Sequence, residues 1–178
     1  MNPQDLKDLV RSIPDFPKPG ILFRDVTTLM SSGAGFAAAV TLLTEKAVAA
    51  GADAIAGIEA RGFIFGAAVA ARAGMGFIPV RKPGKLPVPV LAIDYALEYG
   101  TDTLEVDPGA IRDGSRIILM DDLIATGGTA LAAVELIRRA GGLIEQSLFL
   151  VDLPDLGGAS RLREVGVAVD ALMDFPGH

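Results

Sequence analysis

Two adjacent carboxylates, Asp121 and Asp122, follow the apolar run Ile117 to Met120 and precede a small-residue stretch, Ala125, Thr126, Gly127, Gly128 and Thr129. Ionised carboxylates only accept hydrogen bonds, so a neighbouring pair suits the vicinal hydroxyls of a ribose or a bridging cation. The Thr-Gly-Gly-Thr stretch suits a phosphate. Glycines let the backbone approach closely, threonines add hydroxyl donors, and a helix beginning there presents unpaired N–H groups and the positive end of its dipole. A phosphorylated ribose uses both halves of the pattern. A tight turn with an acidic cap is the plainer alternative. Two other phosphate motifs are excluded: Gly128 is followed by Thr129 rather than the lysine of a Walker A loop, and no G-x-G-x-x-G spacing is present.

Three further groups of residues have chemical potential. Glu59, Ala60, Arg61 and Gly62 sit where an apolar run ends, and read either as an anion-binding loop with Arg61 as donor or as a helix-capping turn with a surface arginine. Arg81, Lys82 and Lys85 form the densest basic cluster, a pattern of anion sites and of ordinary solvated faces alike. The chain has no cysteine, and its one histidine is the last residue, His178. Thiolate chemistry, a disulfide frame, an interior Ser-His pair and a His-rich zinc site are therefore excluded, which leaves carboxylates, Tyr, Lys and Arg.

The elements that must position these residues alternate between helix and strand. Leu6, Leu9, Val10 and Ile13 predict an amphipathic N-terminal helix stopped by Pro14, followed by a Pro-Gly loop. Helices are expected over 36–50, 63–73 and 129–140, and strands over 54–58, 77–81, 117–121 and 147–152. Gly141 and Gly142 close the helix before the last of these strands. This order predicts an α/β fold, an open and mostly parallel sheet flanked by helices, with ligands at the carboxyl ends of the strands. Both candidate loops, after Ile58 and after Asp121, lie at such ends. Between Lys82 and Asp107 the rhythm breaks into Pro, Gly and short alternating apolar pieces, so the segment is a long hairpin or a mobile lid. A lid would exclude water from a reactive centre.

The acidic pair with its Thr-Gly loop resembles the signature of the type I phosphoribosyltransferase family. Phe16 to Thr27, Glu59 to Gly66, Arg81 to Pro87, Leu97 to Asp102 and Phe175 to His178 carry the likeness to the family's adenine-using branch over nearly the whole chain. The resemblance implies one domain over 1–178, with a small base-framing N-terminal hood over 1–30 and the lid over 82–107. It implies transfer of a 5-phosphoribosyl group from phosphoribosyl diphosphate to adenine, giving AMP and diphosphate in purine salvage. Asp121, Asp122, Ala125, Thr126, Gly127, Gly128 and Thr129 would bind the phosphoribosyl group. Glu59, Ala60, Arg61, Gly62, Arg81, Lys82 and Lys85 would bind diphosphate, with Arg81 reaching the site of a second subunit in a homodimer.

Residue roles at the base follow from the same likeness. Hypoxanthine-type relatives place an Asp where this chain has Ala125, which cannot manage a proton. Glu98, carried on the lid, would exchange the adenine proton instead, with the Tyr99 ring over the substrate and Arg61 completing the catalytic set. Leu22, Phe23 and Arg24 would frame adenine, Arg24 by stacking. In relatives the Glu59 to Gly62 loop often holds a non-proline cis peptide, implied here between Ala60 and Arg61. Magnesium would arrive bound to the substrate. Val88 to Tyr95 departs from the pattern in being unusually apolar.

Composition sets outer limits. At 178 residues the chain has the length of one domain, and a net charge of -6 argues against a general nucleic-acid binder. Residues 1–16 lack the apolar core of a signal peptide, so a cytoplasmic protein is expected. The most apolar stretch, Phe63 to Val80, is broken by Arg72 and several glycines and reads as helix and strand rather than a membrane span.

Overall fold

The computed structural model describes residues 1–97 and 100–177. Its centre is a five-stranded sheet made of β3 (Ala54–Ile58), β4 (Gly76–Val80), β7 (Arg116–Ile124), β8 (Leu143–Asp152) and β9 (Ala168–Asp174). All pairings are parallel and the order is β4-β3-β7-β8-β9. Chain order runs outward in one direction from β3 to β4, and in the other from β7 to β9. The reversal falls between β3 and β7, which is where parallel sheets open a crevice for ligands.

Burial explains why these segments are strands. β3 is buried at every position, and β7 carries Ile117, Ile118, Leu119 and Met120 with both faces covered. Ile118 and Met120 join one core with Leu6, Leu43, Ile55 and Phe65, beneath α1 (Pro3–Lys7), α3 (Gly33–Ala49) and α4 (Arg61–Ala73). Ile117 and Leu119 join the other with Ala133, Leu136, Ile137 and Phe149, beneath α5 (Gly128–Arg139) and α6 (Gly158–Glu164). A fully buried side chain such as Phe65 contributes roughly 1.5–3 kcal/mol relative to leaving it exposed. No helix among the described residues is long and apolar enough to cross a membrane.

The N-terminus differs from the expectation. The first helix ends at Lys7, and Ile13 lies instead in β1 (Arg11–Pro14), which pairs antiparallel with β2 (Leu22–Asp25). Arg11 to Pro14 gain ladder partners in Leu22 to Asp25 that a longer helix would forgo, and Arg11 binds Asp25 across the pair. A short helix, α2 (Thr27–Ser31), then leads to α3, capped by the Ser32 side chain. Residues 82–107 contain a hairpin, β5 (Leu91–Ala96) antiparallel to β6 (Thr101–Val106), whose inner face packs Leu104 and Val106 into the α5 core.

Candidate active site

Three chain segments meet at the carboxyl ends of β3 and β7. They wall a cavity of about 260 Å³ lined by Glu59, Ala60 and Arg61 on one side, Asp121 to Ala130 on another, and Lys82 at the edge. The acidic pair lies within β7, which runs on to Ile124, so its side chains are fixed by sheet pairing rather than by a loop.

Alternation along the strand sends the two carboxyls to different partners. Asp121 Oδ1 accepts from the Asp122 N–H at 2.8 Å, and Asp122 Oδ2 accepts from Arg61 Nε. Burial, reinforced by the Asp122 charge, pushes the Asp121 carboxyl well above the usual carboxylate range. Burial alone would lower the Arg61 pKa, but the hydrogen bond and charge of Asp122, with Asp121 and Asp25 behind it, outweigh that and raise it. Arg61 is a permanent cation with half its side chain in solvent.

Two glycine positions shape the cavity walls. Gly127 takes φ +83°, and a Cβ there would lie 2.9 Å from the Cα of Gly158, so only glycine fits both the conformation and the contact. The first α5 bond runs from Leu131 N to Gly127 O at 2.9 Å, which leaves the preceding helix N–H groups outside the helical ladder at the cavity wall. From behind, Gly158 N donates to Ala125 O at 2.9 Å and Arg161 Nη1 to Thr126 O at 2.6 Å. These braces come from α6, and nothing local to the Thr-Gly stretch in the sequence pointed to them. The other position is Gly62. A Cβ there would come within 2.8 Å of Met120 O and 2.9 Å of Asp121 Oδ1, so α4 can approach β7 this closely only without a side chain at that point.

The cis peptide of the first loop is displaced by one bond from the expectation. It joins Glu59 to Ala60, whereas the 60–61 bond enters α4, with Ala60 as its N-cap and Arg61 as its first residue. Glu59 turns toward the basic cluster: its Oε2 accepts from Lys82 N at 2.9 Å and Arg81 Nε at 3.3 Å. The Lys82 N–H bond and the Arg81 contact outweigh burial and hold the Glu59 carboxyl below its ordinary pKa. Glu59 thus accepts from one backbone N–H and one guanidinium. Arg81 also donates to Lys85 O at 3.4 Å and lies 5.7 Å from the Phe63 ring centroid, while Lys85 is exposed.

A second cavity, about 300 Å³ and mainly apolar, adjoins the first. It is lined by Ile13, Phe16, Phe23, Val26 and Thr27, with Arg24, Asp25 and Arg61 at its rim, so Arg61 borders both cavities. Phe16 and Phe23 meet edge to face at 5.2 Å. Of the three residues expected at a base, Phe23 and Arg24 line this cavity, and Leu22 sits beside them opposite Pro14 in the strand pair. Arg24 lies over the Phe175 ring at 4.5 Å and donates to Pro176 O at 3.0 Å, so the C-terminal segment holds it. Glu98 and Tyr99 lie outside the described residues.

Among the described residues, no three His, Cys, Asp or Glu side chains gather as a metal cluster. The oxygen-only pair Asp121 and Asp122 at the cavity wall nevertheless fits a magnesium ion that keeps its waters and rides on substrate oxygens.

Comparisons with known proteins agree with this geometry. Residues 31–158 match the profile of the phosphoribosyl transferase domain. The adenine phosphoribosyltransferase of Novosphingobium aromaticivorans is 67% identical over 178 residues, all of both chains, and that of Erythrobacter litoralis 60% over the same span. Among solved structures, adenine phosphoribosyltransferase from Thermoanaerobacter pseudethanolicus superposes with a TM-score of 0.92 at 42% identity, covering 98% of this chain and 100% of that one. The Saccharomyces cerevisiae enzyme, complexed with an imino-altritol bisphosphate and adenine, gives 0.90 at 37%, covering 96% and 97%.

Proposed function

The chain belongs to the phosphoribosyltransferase family, in its adenine phosphoribosyltransferase branch, and on that premise we propose that it converts adenine and phosphoribosyl diphosphate to AMP and diphosphate. The observation that supports this reading is the adjacency of two unlike cavities across Arg61, one polar and lined by the acidic pair and the Thr-Gly stretch, the other mainly apolar. The 5-phosphate lies on the N–H groups at the start of α5 with the Thr126 and Thr129 hydroxyls, and the ribose hydroxyls face Asp121 and Asp122.

The barrier is charge separation. Positive charge builds on the ribose ring as the bond from the anomeric carbon to diphosphate lengthens, and negative charge builds on the leaving group. Arg61, Lys82 and the N–H groups opening α4 are fixed donors on that side. Magnesium, when bound with the substrate, neutralises diphosphate charge. Adenine attacks through a ring nitrogen from the Phe23 side, and Glu98 takes up the displaced proton. The homodimer, in which Arg81 serves the neighbouring site, and the cytoplasmic setting belong to the same reading.

Diphosphate release by the purified protein with phosphoribosyl diphosphate and magnesium tests it, with adenine, hypoxanthine, guanine, xanthine and orotate supplied singly. Release with adenine alone, together with AMP, is the expected result. Release with another base overturns the specificity, and silence with every base overturns the catalytic reading.

A further inference from the structure

Lys82 is the one member of the basic cluster that lines the phosphoribosyl cavity, and it is held by a pair of residues that the proposed reaction does not use. Its Nζ donates to Asp102 Oδ2 and to Tyr95 Oη at 3.1 Å, and Tyr95 Oη donates in turn to Asp102 Oδ2 at 3.2 Å. Tyr95 and Asp102 are direct cross-strand partners in the hairpin. Asp102 is itself fixed, its Oδ1 accepting the Thr103 N–H at 2.8 Å. On the far side, the Thr129 hydroxyl lies 3.5 Å from Tyr95 Oη, and the Ala96 carbonyl would stand 3.2 Å from a Cβ on Gly128. The triangle thus touches three separate walls: the segment after β4, the turn end of the hairpin, and the Thr126 to Thr129 stretch.

Donor bookkeeping gives this arrangement a use. An ammonium has three N–H donors. Two are taken by Asp102 and Tyr95 among the described residues, which leaves one at the cavity edge. A lysine stem carries about 2 kcal/mol of rotamer entropy, and an unheld Lys82 would have to give that up each time it met a phosphate. The hydroxyl of Tyr95 turns a two-point contact into a closed triangle, which fixes the direction of the ammonium as well as its position.

We propose that Tyr95 and Asp102 are positioning residues for diphosphate: together they hold the Lys82 ammonium at the cavity wall with its third N–H directed to a phosphate oxygen. The hairpin is then part of the diphosphate site. This inference rests on the proposed reaction, because it takes the anion beside Lys82 to be the leaving diphosphate.

The test is calorimetric titration of magnesium diphosphate, and separately of AMP, into the wild type and the Asp102→Asn, Asp102→Glu and Tyr95→Phe variants, with thermal melts to confirm folding. Asp102→Asn and Tyr95→Phe should each weaken diphosphate by about tenfold, the scale of one charge-assisted hydrogen bond. AMP affinity should hold within about twofold, since AMP does not occupy the diphosphate position. Asp102→Glu, which restores the carboxylate, should recover part of the loss. In steady state the same variants should raise KM for phosphoribosyl diphosphate while leaving KM for adenine. Equal weakening of AMP and diphosphate would mark a merely structural hairpin and overturn the inference. Unchanged or tighter diphosphate binding would also overturn it, the latter because Asp102 would then be competing for Lys82. A wild type that makes AMP yet takes up no diphosphate overturns this inference alone, whereas a wild type inert to every substrate overturns the reaction beneath it.

Discussion

Arg61 and Asp122 join the two halves of the site: Nε of the first residue of α4 donates to a carboxylate carried on β7, across the reversal in strand order. Asp122 is almost fully buried while Arg61 keeps half its side chain in solvent. The pair therefore holds a cation at the border of the two cavities, where the hydrogen bond and charge of Asp122 offset the partial desolvation of the guanidinium.

That imbalance couples function to stability. Removing one partner of an ion pair leaves the buried one uncompensated, at about 3–5 kcal/mol for a fully buried pair and less here because Arg61 is half exposed, whereas a fixed donor at a developing charge is worth about 100-fold or more in rate. Arg61→Ala should accordingly lower kcat/KM by at least about 100-fold and also lower the unfolding free energy by more than about 1 kcal/mol. Steady-state kinetics beside urea unfolding would check this, and a variant within threefold of wild-type activity would remove Arg61 from the leaving-group site.

Glu98 carries the second prediction. A carboxamide keeps the size of the side chain but cannot take up the adenine proton, so Glu98→Gln should lower kcat at least about tenfold. Phosphoribosyl diphosphate affinity should change little, because in the proposed reaction the lost group acts on the base. Pre-steady-state turnover with direct binding of phosphoribosyl diphosphate separates the two effects. An unchanged rate would exclude Glu98 from the mechanism.

The parallel sheet and the acidic pair were legible because their signals are local: Ile117 to Met120 form a continuous apolar run, and Thr-Gly-Gly opens a helix with strong periodicity. Three features were not. Ile13 fits a helical stripe with Leu6 and Leu9, and only pairing with Phe23, ten residues onward, makes it strand. The braces from Gly158 and Arg161 reach the phosphate loop across more than thirty residues, with no spacing rule to announce them. Glu59 read as a diphosphate ligand because it stands in that loop, yet its carboxylate faces Lys82 and Arg81, which sequence distance concealed.

Gly62 supplies a steric prediction. An added methyl group would sit inside van der Waals contact of Met120 O and Asp121 Oδ1, both on a strand buried on both faces and unable to yield. Overpacking of this kind costs about 1–3 kcal/mol, and α4 must shift outward, taking Arg61 with it. Gly62→Ala should therefore lose stability by that amount in urea and lose phosphoribosyl diphosphate affinity at the same time. A stable variant with intact affinity would show that α4 tolerates the displacement.

The last prediction concerns pH and the β1–β2 pair that lines the apolar cavity. Asp25 ends β2, accepts from Thr27 N at 2.9 Å and from Arg11 Nη2 at 2.5 Å, and lines the cavity wall. The Thr27 hydrogen bonds first, and Arg11 second, lower its pKa from 3.8 to about 2. A carboxyl depressed by folding stabilises the fold fully above its unfolded value, and that contribution disappears as pH falls through the folded value. The shift corresponds to at most about 2 kcal/mol, and Arg11, more than half exposed, makes the true figure smaller through solvent screening. Asp25→Asn should thus be less stable than wild type at about pH 7, with the gap narrowing below about pH 4 and closing near about pH 2. Urea unfolding at several pH values measures it. Because Asp25 also supports Thr27 and the charge of Arg61, the variant should raise KM for adenine at neutral pH, and a gap that stayed constant down to the acid limit would show that Asp25 acts by shape rather than by charge.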